Sequence, residues 1–301
     1  MSIDILLVTY NQEPYIQQAL DGILMQRVND EVKLRIIVAD DCSTDGTLKV
    51  IKARLGDSNV LFENGRKADV LYLPNANNMG HVRNYQRAFK ECKADYVAVC
   101  EGDDYWVNPL HLQEYVDFMD MHRECILTSQ NPIWYYEEDK RFAVQGINQI
   151  DYKSYRVVPL KEEIQSNQIV NLSSCVIRGS VLPKLDERIY TCSILDWPMY
   201  INMCQYGILC ILPGATVVYR SKKSGLYAGL NDKEQLQADI NYLNEIATIF
   251  PEYMVAIEES KLLRIGKRKS AKRIFAEALL MPIVICARFA KKVKKVYQQL
   301  L

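Results

Sequence analysis

The sequence predicts an α/β protein built on an open, mostly parallel, twisted sheet with helices on both faces. In the first hundred of its 301 residues, short apolar runs rich in β-branched residues alternate with helical patterns. These runs are apolar at consecutive positions, as in parallel strands that helices cover on each side. Right-handed crossovers would join the strands, so their carboxyl ends are expected to meet at one edge of the sheet.

The predicted elements follow in a regular order. In the first third of the chain the strands are residues 3–9, 33–39, 70–73 and 96–100, and the helices are residues 15–25, 48–55 and a segment ending near Cys92. The later part predicts a helix at 109–122, a hairpin of 126–136 and 142–147 around a charged turn, a strand at 171–178, a helix at 194–206, strands at 208–212 and 216–220, and a polar loop at 221–229. From Asp232 onward the pattern is helical, with interruptions at Pro251 and Pro282.

Charge is distributed unevenly along the chain. Lys and Arg total 37 and Asp and Glu total 37, but residues 261–301 carry eight Lys and four Arg against Glu277, a net charge of +11. We therefore predict a main domain at residues 1–230, with halves at 1–108 and 109–230, and a basic helical extension at residues 231–301. No internal repeat is present.

Cysteine spacing and the amino terminus indicate where the protein resides. None of the nine cysteines forms a Cys-x-x-Cys pair of the kind that binds zinc or acts in redox exchange. Most lie in apolar runs, where reduced cysteine behaves as a small hydrophobic residue. The first residues lack the basic and apolar regions of a secretory signal. We expect a cytoplasmic protein.

Three carboxylates follow the fourth predicted strand. Glu101, Asp103 and Asp104 come directly after an apolar run, with Gly102 among them. Adjacent carboxylates repel one another and are costly to desolvate, so this cluster favours a bound cation or a ligand rich in hydrogen-bond donors. Oxygen ligands suit Mg²⁺ or Mn²⁺, which often bind beside phosphates. A solvated turn that caps the next helix is the alternative, and the cluster alone does not decide between them.

The other candidate residues lie at the same predicted edge. Tyr10 follows the first strand and Asp41 the second, where ligands bind in open parallel sheets. The glycine-rich dinucleotide fingerprint and the Gly-Lys-Ser/Thr of a P-loop are both absent, which argues against dehydrogenases and P-loop NTPases.

Five short motifs together resemble those of family 2 glycosyltransferases with the GT-A fold. They are Thr9-Tyr10-Asn11-x-Glu13; the strand ending at Asp40-Asp41 with Ser43 to Thr47; Asn78-x-Gly80 with Arg83-Asn84; Asp103-Asp104; and Leu195 to Pro198 with the Tyr219-Arg220 strand. The resemblance covers residues 1 to about 230. Each motif is weak alone, but five in the family's order make a specific match.

The resemblance implies roles in binding a nucleotide-sugar donor. Tyr10 would stack on the nucleobase, and Thr9 and Glu13 would lie near the nucleoside. Asp41 would accept a hydrogen bond from the base, typically uracil, and Arg83 would contact the diphosphate.

The same resemblance assigns the metal and the catalytic base. Asp103 would lie near the ribose, and Asp104, with Asp103, would hold Mn²⁺ or Mg²⁺ on the phosphates. Asp196 would be the base of an inverting transfer, which needs a carboxylate to take the proton of the incoming hydroxyl. The acceptor would be a glycan or lipid-linked saccharide of bacterial surface polysaccharide synthesis.

One position departs from the family pattern. Where relatives commonly carry histidine, two residues after the Tyr-Arg pair, this chain has Lys222 followed by Lys223. A protonated lysine cannot ligate a metal, but its ammonium can neutralise a leaving phosphate. We therefore hypothesise that the Lys222 loop closes over the donor and takes part of the metal's role.

Each assignment has a simpler alternative. Asp41 and Asp196 could be helix caps, Arg83 could lie on an exposed helix face, and Trp106 and Trp197 could be core residues rather than sugar platforms. His81 and His122 are expected on the surface, and His111 is expected to face solvent. At the level of the whole protein, a sugar nucleotidylyltransferase and a non-catalytic nucleotide- or glycan-binding protein of the same fold stay open.

The basic tail predicts a peripheral membrane contact. Residues 278–287 form an apolar run of ten with Pro282 inside it, and basic residues flank the run. Ten residues cannot span a bilayer, which needs about twenty. Such a segment suits the anionic inner face of the cell membrane, and a helix packed on the domain is the alternative. We expect no nucleic-acid partner.

Overall fold

The computed structural model describes residues 1–144, 155–225 and 227–268, and it describes side chains up to residue 266. The chain divides into two compact units. The first contains Met1–Glu163 and Asn167–Gly229, and the second contains Ile164–Ser166 and the chain from Leu230 onward. The predicted site residues all belong to the first unit.

The described residues contain thirteen strands and eight α-helices. The strands are β1 (Ser2–Thr9), β2 (Lys33–Asp40), β3 (Asn59–Leu61), β4 (Lys67–Tyr72), β5 (Tyr96–Glu101), β6 (Tyr105–Trp106), β7 (Cys125–Gln130), β8 (Ile133–Tyr136), β9 (Arg141–Val144), β10 (Arg156–Val158), β11 (Val176–Arg178), β12 (Ile208–Leu212) and β13 (Val217–Ser221). The helices are α1 (Ile16–Leu24), α2 (Thr47–Leu55), α3 (His81–Glu91), α4 (His111–Met121), α5 (Leu160–Gln165), α6 (Asp196–Met203), α7 (Asp232–Ile249) and α8 (Met254–Arg268).

The larger sheet has nine strands in the order β10-β12-β7-β11-β5-β1-β2-β4-β3. Its centre, β5-β1-β2-β4, is parallel, as the sequence predicts, and antiparallel pairs flank that centre. The register places Thr9 opposite Asp40, and Val8 opposite Glu101. The carboxyl ends of these three strands therefore meet at one edge, where the candidate residues follow them.

The central strand β1 is covered on both faces. All its residues from Ile3 to Thr9 are buried. Ile5 and Leu7 belong to a core that includes residues of α1 and α4. Because side chains alternate along a strand, Leu6 and Val8 point to the opposite face. Helix α3 contacts β1 and β2, so the sheet is a rigid, two-sided support for its loops.

A second sheet, in the order β6-β13-β8-β9, corrects the prediction of one strand at 126–136. The segment forms two strands in different sheets: β7 joins the large sheet, and β8 pairs with β13 and β9. Asn131-Pro132 separates them, and proline cannot donate to a strand ladder. The predicted hairpin is confirmed for β8 and β9, although residues 145–147 of its second strand lie outside the described residues.

One other strand is shorter than predicted, and one helix ends where it was predicted to end. Instead of one strand at 171–178, a 3₁₀ turn at Leu172–Ser174 precedes β11. The side chain of Asn171 accepts a hydrogen bond from the Ser174 N–H and so favours the turn over a strand. In the second unit, α7 begins with a capping box of Asn231 and Glu234, and it ends before Pro251 as predicted. Pro282 lies outside the described residues.

His111 is buried, so the prediction that it faces solvent is wrong. Its ring packs between Trp106 and Tyr115, and its Nδ1 lies 2.7 Å from Thr216 Oγ1. Burial lowers the pKa of His111 to about 3, so the ring is neutral. Trp106 and Trp197 are also core residues, and each donates its indole N–H to a backbone carbonyl.

The eight cysteines that the structure describes are free thiols. Among the described residues, no helix combines the length and apolarity that crossing a bilayer requires.

Candidate active site

The loops after β1 and β2 are joined by hydrogen bonds into one rim. Asn11 Oδ1 accepts from the Thr44 N–H at 2.8 Å, and the Asn11 N–H donates to Ser43 Oγ at 2.9 Å. Asn11 and Cys42 both have positive φ, at 50° and 63°. Non-glycine residues in this region are uncommon and are often held at functional sites by the surrounding structure.

Tyr10 and Asp41 lie on this rim with opposite exposure. Tyr10, directly after β1, is 44% exposed and is therefore accessible to a ligand. Asp41 is buried, and its carboxylate accepts three hydrogen bonds, from Asn75 Nδ2 and the N–H groups of Met79 and Gly80. The N-cap of the following helix, α2, is Gly46, so Asp41 does not cap that helix. Asp41 instead holds the loop before α3.

Thr9 and Glu13 stabilise the rim. Thr9 is buried and donates its hydroxyl to Gln12 Oε1 at 2.7 Å. Glu13 Oε2 accepts from the Gly46 N–H at 2.8 Å. A Cβ added at Gly46 would lie 2.2 Å from the Glu13 carboxylate, so a side chain at this position would displace Glu13 from the contact. In the structure, both side chains organise the loops around Tyr10.

The acidic turn after β5 contains two aspartates in different environments. Asp104 is buried; its Oδ1 accepts from the Arg220 N–H at 2.9 Å and its Oδ2 from Asn171 Nδ2 at 2.6 Å. Asp103 is more exposed, and its Oδ2 accepts from Lys222 Nζ at 2.6 Å. Among the described residues, no group donates a hydrogen bond to Asp103 Oδ1. Asp103 is therefore the aspartate that can offer a free oxygen to a ligand.

Burial and mutual repulsion perturb the carboxyl groups of this turn. Burial, with a further contribution from Asp103, raises the pKa of Asp104 to about 7. Burial and the charges of both aspartates raise the pKa of Glu101 well above its ordinary value, although Tyr85 donates its hydroxyl to Glu101. The cleft is thus strongly acidic and favours a cation.

Two basic residues, one on β13 and one in the loop after it, contact Asp103 of this acidic turn. Arg220 Nε donates to the Asp103 carbonyl at 2.9 Å, and its guanidinium lies 4.6 Å from the centre of the Tyr15 ring. The Lys222 ammonium lies 4.6 Å from the same ring centre and pairs with Asp103. The Lys222 side chain is only 15% exposed. The Lys222 ammonium is therefore held against Asp103, the more exposed of the two aspartates of the turn.

These residues fit a metal ion only in part. The described residues contain no group of three or more His, Cys, Asp or Glu side chains that could hold one. Both oxygens of Asp104 are bonded by protein donors, whereas Asp103 keeps one oxygen free. Mg²⁺ is often bound by one or two carboxylates together with substrate phosphates. The turn thus suits an ion that the donor brings and Asp103 helps to hold, rather than a preformed protein site.

Asp196 is the first residue of α6. It is not the N-cap, which is Leu195. Asn167 Nδ2 donates to its Oδ2 at 2.7 Å. Burial raises the pKa of Asp196, although the Trp197 N–H, Asn167 and the charge of His81 oppose this effect. A carboxylate with a raised pKa accepts a proton more readily, as a general base must.

The cleft carboxylates belong to one electrostatic cluster. The charge of Asp196 contributes to the raised pKa of Glu101, which joins the base to the acidic turn. Tyr219 is within electrostatic reach of the same groups, because its pKa is raised by burial and then by Asp104, Glu101, Asp103 and Asp196. The predicted base and the acidic turn therefore lie close enough to influence one another.

The family assignment follows from comparison with known proteins. A sequence model described as Glycosyl transferase family 2 matches residues 4–175, more than half of the chain. The chain belongs to glycosyltransferase family 2.

Two relatives of this family 2 member illustrate its similarity. The chain is 28% identical over 227 residues to an uncharacterized protein of Mycobacterium tuberculosis, covering 75% of this chain and 60% of that protein. It is 29% identical over 128 residues to TarS, a poly(ribitol-phosphate) β-N-acetylglucosaminyltransferase of Staphylococcus aureus, covering 42% of this chain and 20% of TarS. The match therefore spans less than two thirds of either relative.

Solved structures share the fold of this family 2 chain. A crystal structure of TarS with UDP-GlcNAc has a TM-score of 0.56 at 20% identity, covering 82% of this chain and 67% of that one. The mannosyltransferase PcManGT from Pyrobaculum calidifontis, in complex with GDP-Man and Mn²⁺, has a TM-score of 0.56 at 15% identity, covering 98% and 84%. The predicted GT-A fold is confirmed.

Among the described residues, Arg83 makes no hydrogen bond or ion pair with the acidic turn. It lies on the exposed side of α3 and donates to Gln86 Oε1 at 2.7 Å. His81, at the start of the same helix, is exposed as expected; partial burial of its ring lowers its pKa, and the charges of Asp196 and Asp41 oppose that shift. His81 therefore lies within electrostatic reach of the rim and the base.

Sequence reasoning gave no role to three residues of this family 2 cleft, which are Arg220, Asn171 and Asn167. Arg220 could have been found, because it belongs to the Tyr219-Arg220 motif and lies two positions before Lys222. The two asparagines carried no signal, since their partners Asp104 and Asp196 are 67 and 29 residues away.

Proposed function

We propose that the protein is an inverting glycosyltransferase that moves a sugar from a nucleoside-diphosphate donor to a hydroxyl of a glycan or lipid-linked acceptor in bacterial surface polysaccharide synthesis. The observation that carries the proposal is the acidic turn after β5, where Asp103 pairs with Lys222, together with Asp196, whose charge acts on Glu101 of the same turn; we take these groups to line one cleft. Such a cleft supplies what the reaction needs: a cation for the leaving diphosphate and a carboxylate for the incoming hydroxyl.

In this proposal the rim binds the nucleoside. The exposed ring of Tyr10 stacks on the base, Asp41 accepts a hydrogen bond from it, and Thr9 and Glu13 keep the two loops in place. UDP is the proposed nucleotide. Its support is the similarity in fold to TarS, which has been crystallised with UDP and with UDP-GlcNAc.

The diphosphate lies against Asp103 and Lys222. The ammonium neutralises charge as the diphosphate departs, and Asp103 keeps Lys222 in place. Mn²⁺ or Mg²⁺, when bound with the donor at the free oxygen of Asp103, would add Lewis-acid stabilisation of the same charge. Asp104 supports the turn through Arg220 and Asn171. Arg83 would have to leave Gln86 to contact the diphosphate.

Asp196 acts as the base. Its carboxylate takes the proton of the acceptor hydroxyl as that oxygen attacks the anomeric carbon of the donor sugar. The bond from that carbon to the diphosphate oxygen breaks, and its electron pair leaves with the nucleoside diphosphate. A single displacement inverts the anomeric configuration.

The nucleotidylyltransferase alternative is disfavoured by the loop after β1. That class needs a glycine-rich loop with basic residues to hold a triphosphate, and residues 9–15 contain neither glycine nor a basic residue. The remaining rival is a protein that binds the nucleotide without turnover. Hydrolysis or transfer of the donor sugar distinguishes it from an enzyme.

A donor screen tests the proposed function. We expect UDP-sugars to raise the melting temperature more than GDP- or dTDP-sugars do, and Mn²⁺ to add to the shift. The selected donor should then release UDP, with a rate that rises when glycan acceptors are supplied. A screen in which no nucleotide sugar changes the melting temperature or is turned over would refute the proposal.

The membrane contact is a separate proposal about the basic tail. Lys261 pairs with Glu258 and Arg264 with Asp239 inside the second unit, so these two cations serve packing. Residues 269–301 lie outside the described residues, but their sequence has eight Lys and Arg residues against Glu277. A polybasic segment gains about 1 kcal/mol per cation near an anionic surface. We therefore propose that the tail binds the inner face of the cell membrane.

Vesicle sedimentation tests this placement. We expect the full chain to bind phosphatidylglycerol vesicles and not phosphatidylcholine vesicles. Replacing Lys291, Lys292, Lys294 and Lys295 with Glu should abolish binding. The matched control replaces four exposed lysines of the first unit, Lys52, Lys67, Lys90 and Lys161, and should still bind. Equal binding of both variants would contradict a contact through the tail.

A further inference from the structure

Asn167 combines a made and an unmade hydrogen bond beside Asp196. Its Nδ2 donates to Asp196 Oδ2 at 2.7 Å. Its Oδ1 is buried and has no hydrogen-bond partner among the residues that the structure describes. Buried polar atoms are nearly always paired, because an unpaired one loses its hydration without compensation, so such an atom requires an explanation.

The segment that carries Asn167 is attached to the start of α6. Trp197 Nε1 donates to the Glu163 carbonyl at 2.7 Å, and the Gln168 N–H donates to Glu163 Oε2 at 3.1 Å. These two bonds lie on either side of Asn167, and Trp197 follows Asp196 in the chain. The amide and the carboxylate are therefore held in a fixed relation before any acceptor binds.

A second buried oxygen lies in the same segment, on Glu163. No described residue makes a hydrogen bond with Glu163 Oε1, and burial raises the pKa of Glu163 to about 8, with a further contribution from Asp196. At neutral pH this group is mostly a neutral carboxylic acid. The surroundings of the base thus hold unused hydrogen-bonding capacity, which a polyhydroxylated ligand could use.

We propose that Asn167 binds the acceptor and reads the hydroxyl next to the one that reacts. Its amide N–H holds Asp196 Oδ2 and so fixes the carboxylate that takes the proton of the attacking hydroxyl. Its Oδ1 accepts a hydrogen bond from the neighbouring hydroxyl. The acceptor class is then a vicinal diol, in a sugar ring or a polyol chain. This inference rests on the proposed function, because it needs Asp196 to be the base.

The first test is the pH dependence of donor hydrolysis, in which water replaces the acceptor. The bond from Asn167 stabilises the charged form of Asp196, so Asn167→Leu removes that stabilisation and raises the pKa of the base. We expect the acid limb of kcat/KM for the nucleotide sugar chosen by the screen to move up by about one pH unit. Gln168→Leu, whose side chain bonds Arg156 instead, should leave the limb unmoved.

Other groups within reach of Asp196 are the same in both proteins, so the shift isolates the Asn167 bond. They are His81, Glu101, Glu163, Cys175, Tyr200 and Tyr219. Asn167→Asp keeps the side-chain volume but adds a negative charge, and it should move the limb further in the same direction. Equal melting temperatures of parent and variants verify that each variant is folded.

The second test uses two small alcohols as acceptors. Glycerol has adjacent hydroxyls and 1,3-propanediol does not. We expect the parent to glycosylate glycerol about tenfold faster, and Asn167→Leu to lose this preference. Equal use of the two alcohols by the parent, no adduct with either, or an unmoved acid limb would overturn the role of Asn167. Failure of the parent to turn over any nucleotide sugar would instead overturn the proposed function, and this subsite with it.

Discussion

An Asp196→Asn variant is expected to lose sugar transfer by a factor of about 10²–10⁴, the usual contribution of a general base. The amide keeps the shape and can still accept the hydrogen bond from Asn167, but it cannot take a proton. Because burial raises the pKa of Asp196, the charged form is disfavoured in the folded protein, and a neutral amide should not destabilise it. Initial rates of UDP release with acceptor present measure the loss.

Donor binding separates a lost base from a damaged site. Titration calorimetry with UDP should give the same affinity for the parent and for Asp196→Asn, since the proposed nucleotide contacts are on the rim. Asp186→Asn makes the same chemical change at a surface ion pair with Arg188, and it should keep the parent's rate. If Asp196→Asn transferred sugar at the parental rate, another group would have to be the base.

Lys222→Met is expected to lower kcat by about 10²-fold, a typical effect of removing one group that stabilises developing negative charge. The substitution leaves Asp103 unpaired beside Glu101 and Asp104, so the cleft becomes more repulsive to a diphosphate. It also frees an oxygen of Asp103 for a cation. We therefore expect Mn²⁺ to restore activity to the variant more strongly than it stimulates the parent, in rate measurements over a Mn²⁺ series.

Lys223 provides the matched control for this lysine. It is the adjacent residue and is exposed, and the bond it makes to Glu138 uses its backbone N–H rather than its ammonium. Lys223→Met should keep the parent's kcat and Mn²⁺ response. A parent-like rate for Lys222→Met at every Mn²⁺ concentration would mean that the ammonium takes no part in the reaction.

Local pattern was sufficient for the parallel centre of the sheet and for the edge at which ligands bind. The buried runs of β1, β2 and β5 specify strands covered on both faces, and parallel strands of this kind end at a common edge. It was insufficient at 126–136, where an apolar run crosses from one sheet to another. Apolar content reports burial but not which neighbour a strand pairs with.

Site residues divide in the same way. The sequence identified Asp103 and Asp104 together, yet it could not tell which one is free, because that depends on Arg220 and Asn171 reaching Asp104 from distant strands and turns. It raised the hypothesis that the Lys222 ammonium takes part of the role of the metal ion, and the contact between Lys222 and Asp103 supports that hypothesis. His111 was misjudged because a helix start gives no local sign of the aromatic residues that pack on it.

The sequence by itself determined the family, the order of the strands that support the cleft, and the kinds of charged groups at their ends, since each depends on residues adjacent in the chain. Only the tertiary structure decided which carboxylates are free and which are paired. It also decided that Asn167 bonds Asp196 through its amide N–H and keeps its own Oδ1 unbonded by the described residues. Those properties depend on burial and on hydrogen bonds between residues far apart in sequence, and no local pattern encodes such partners.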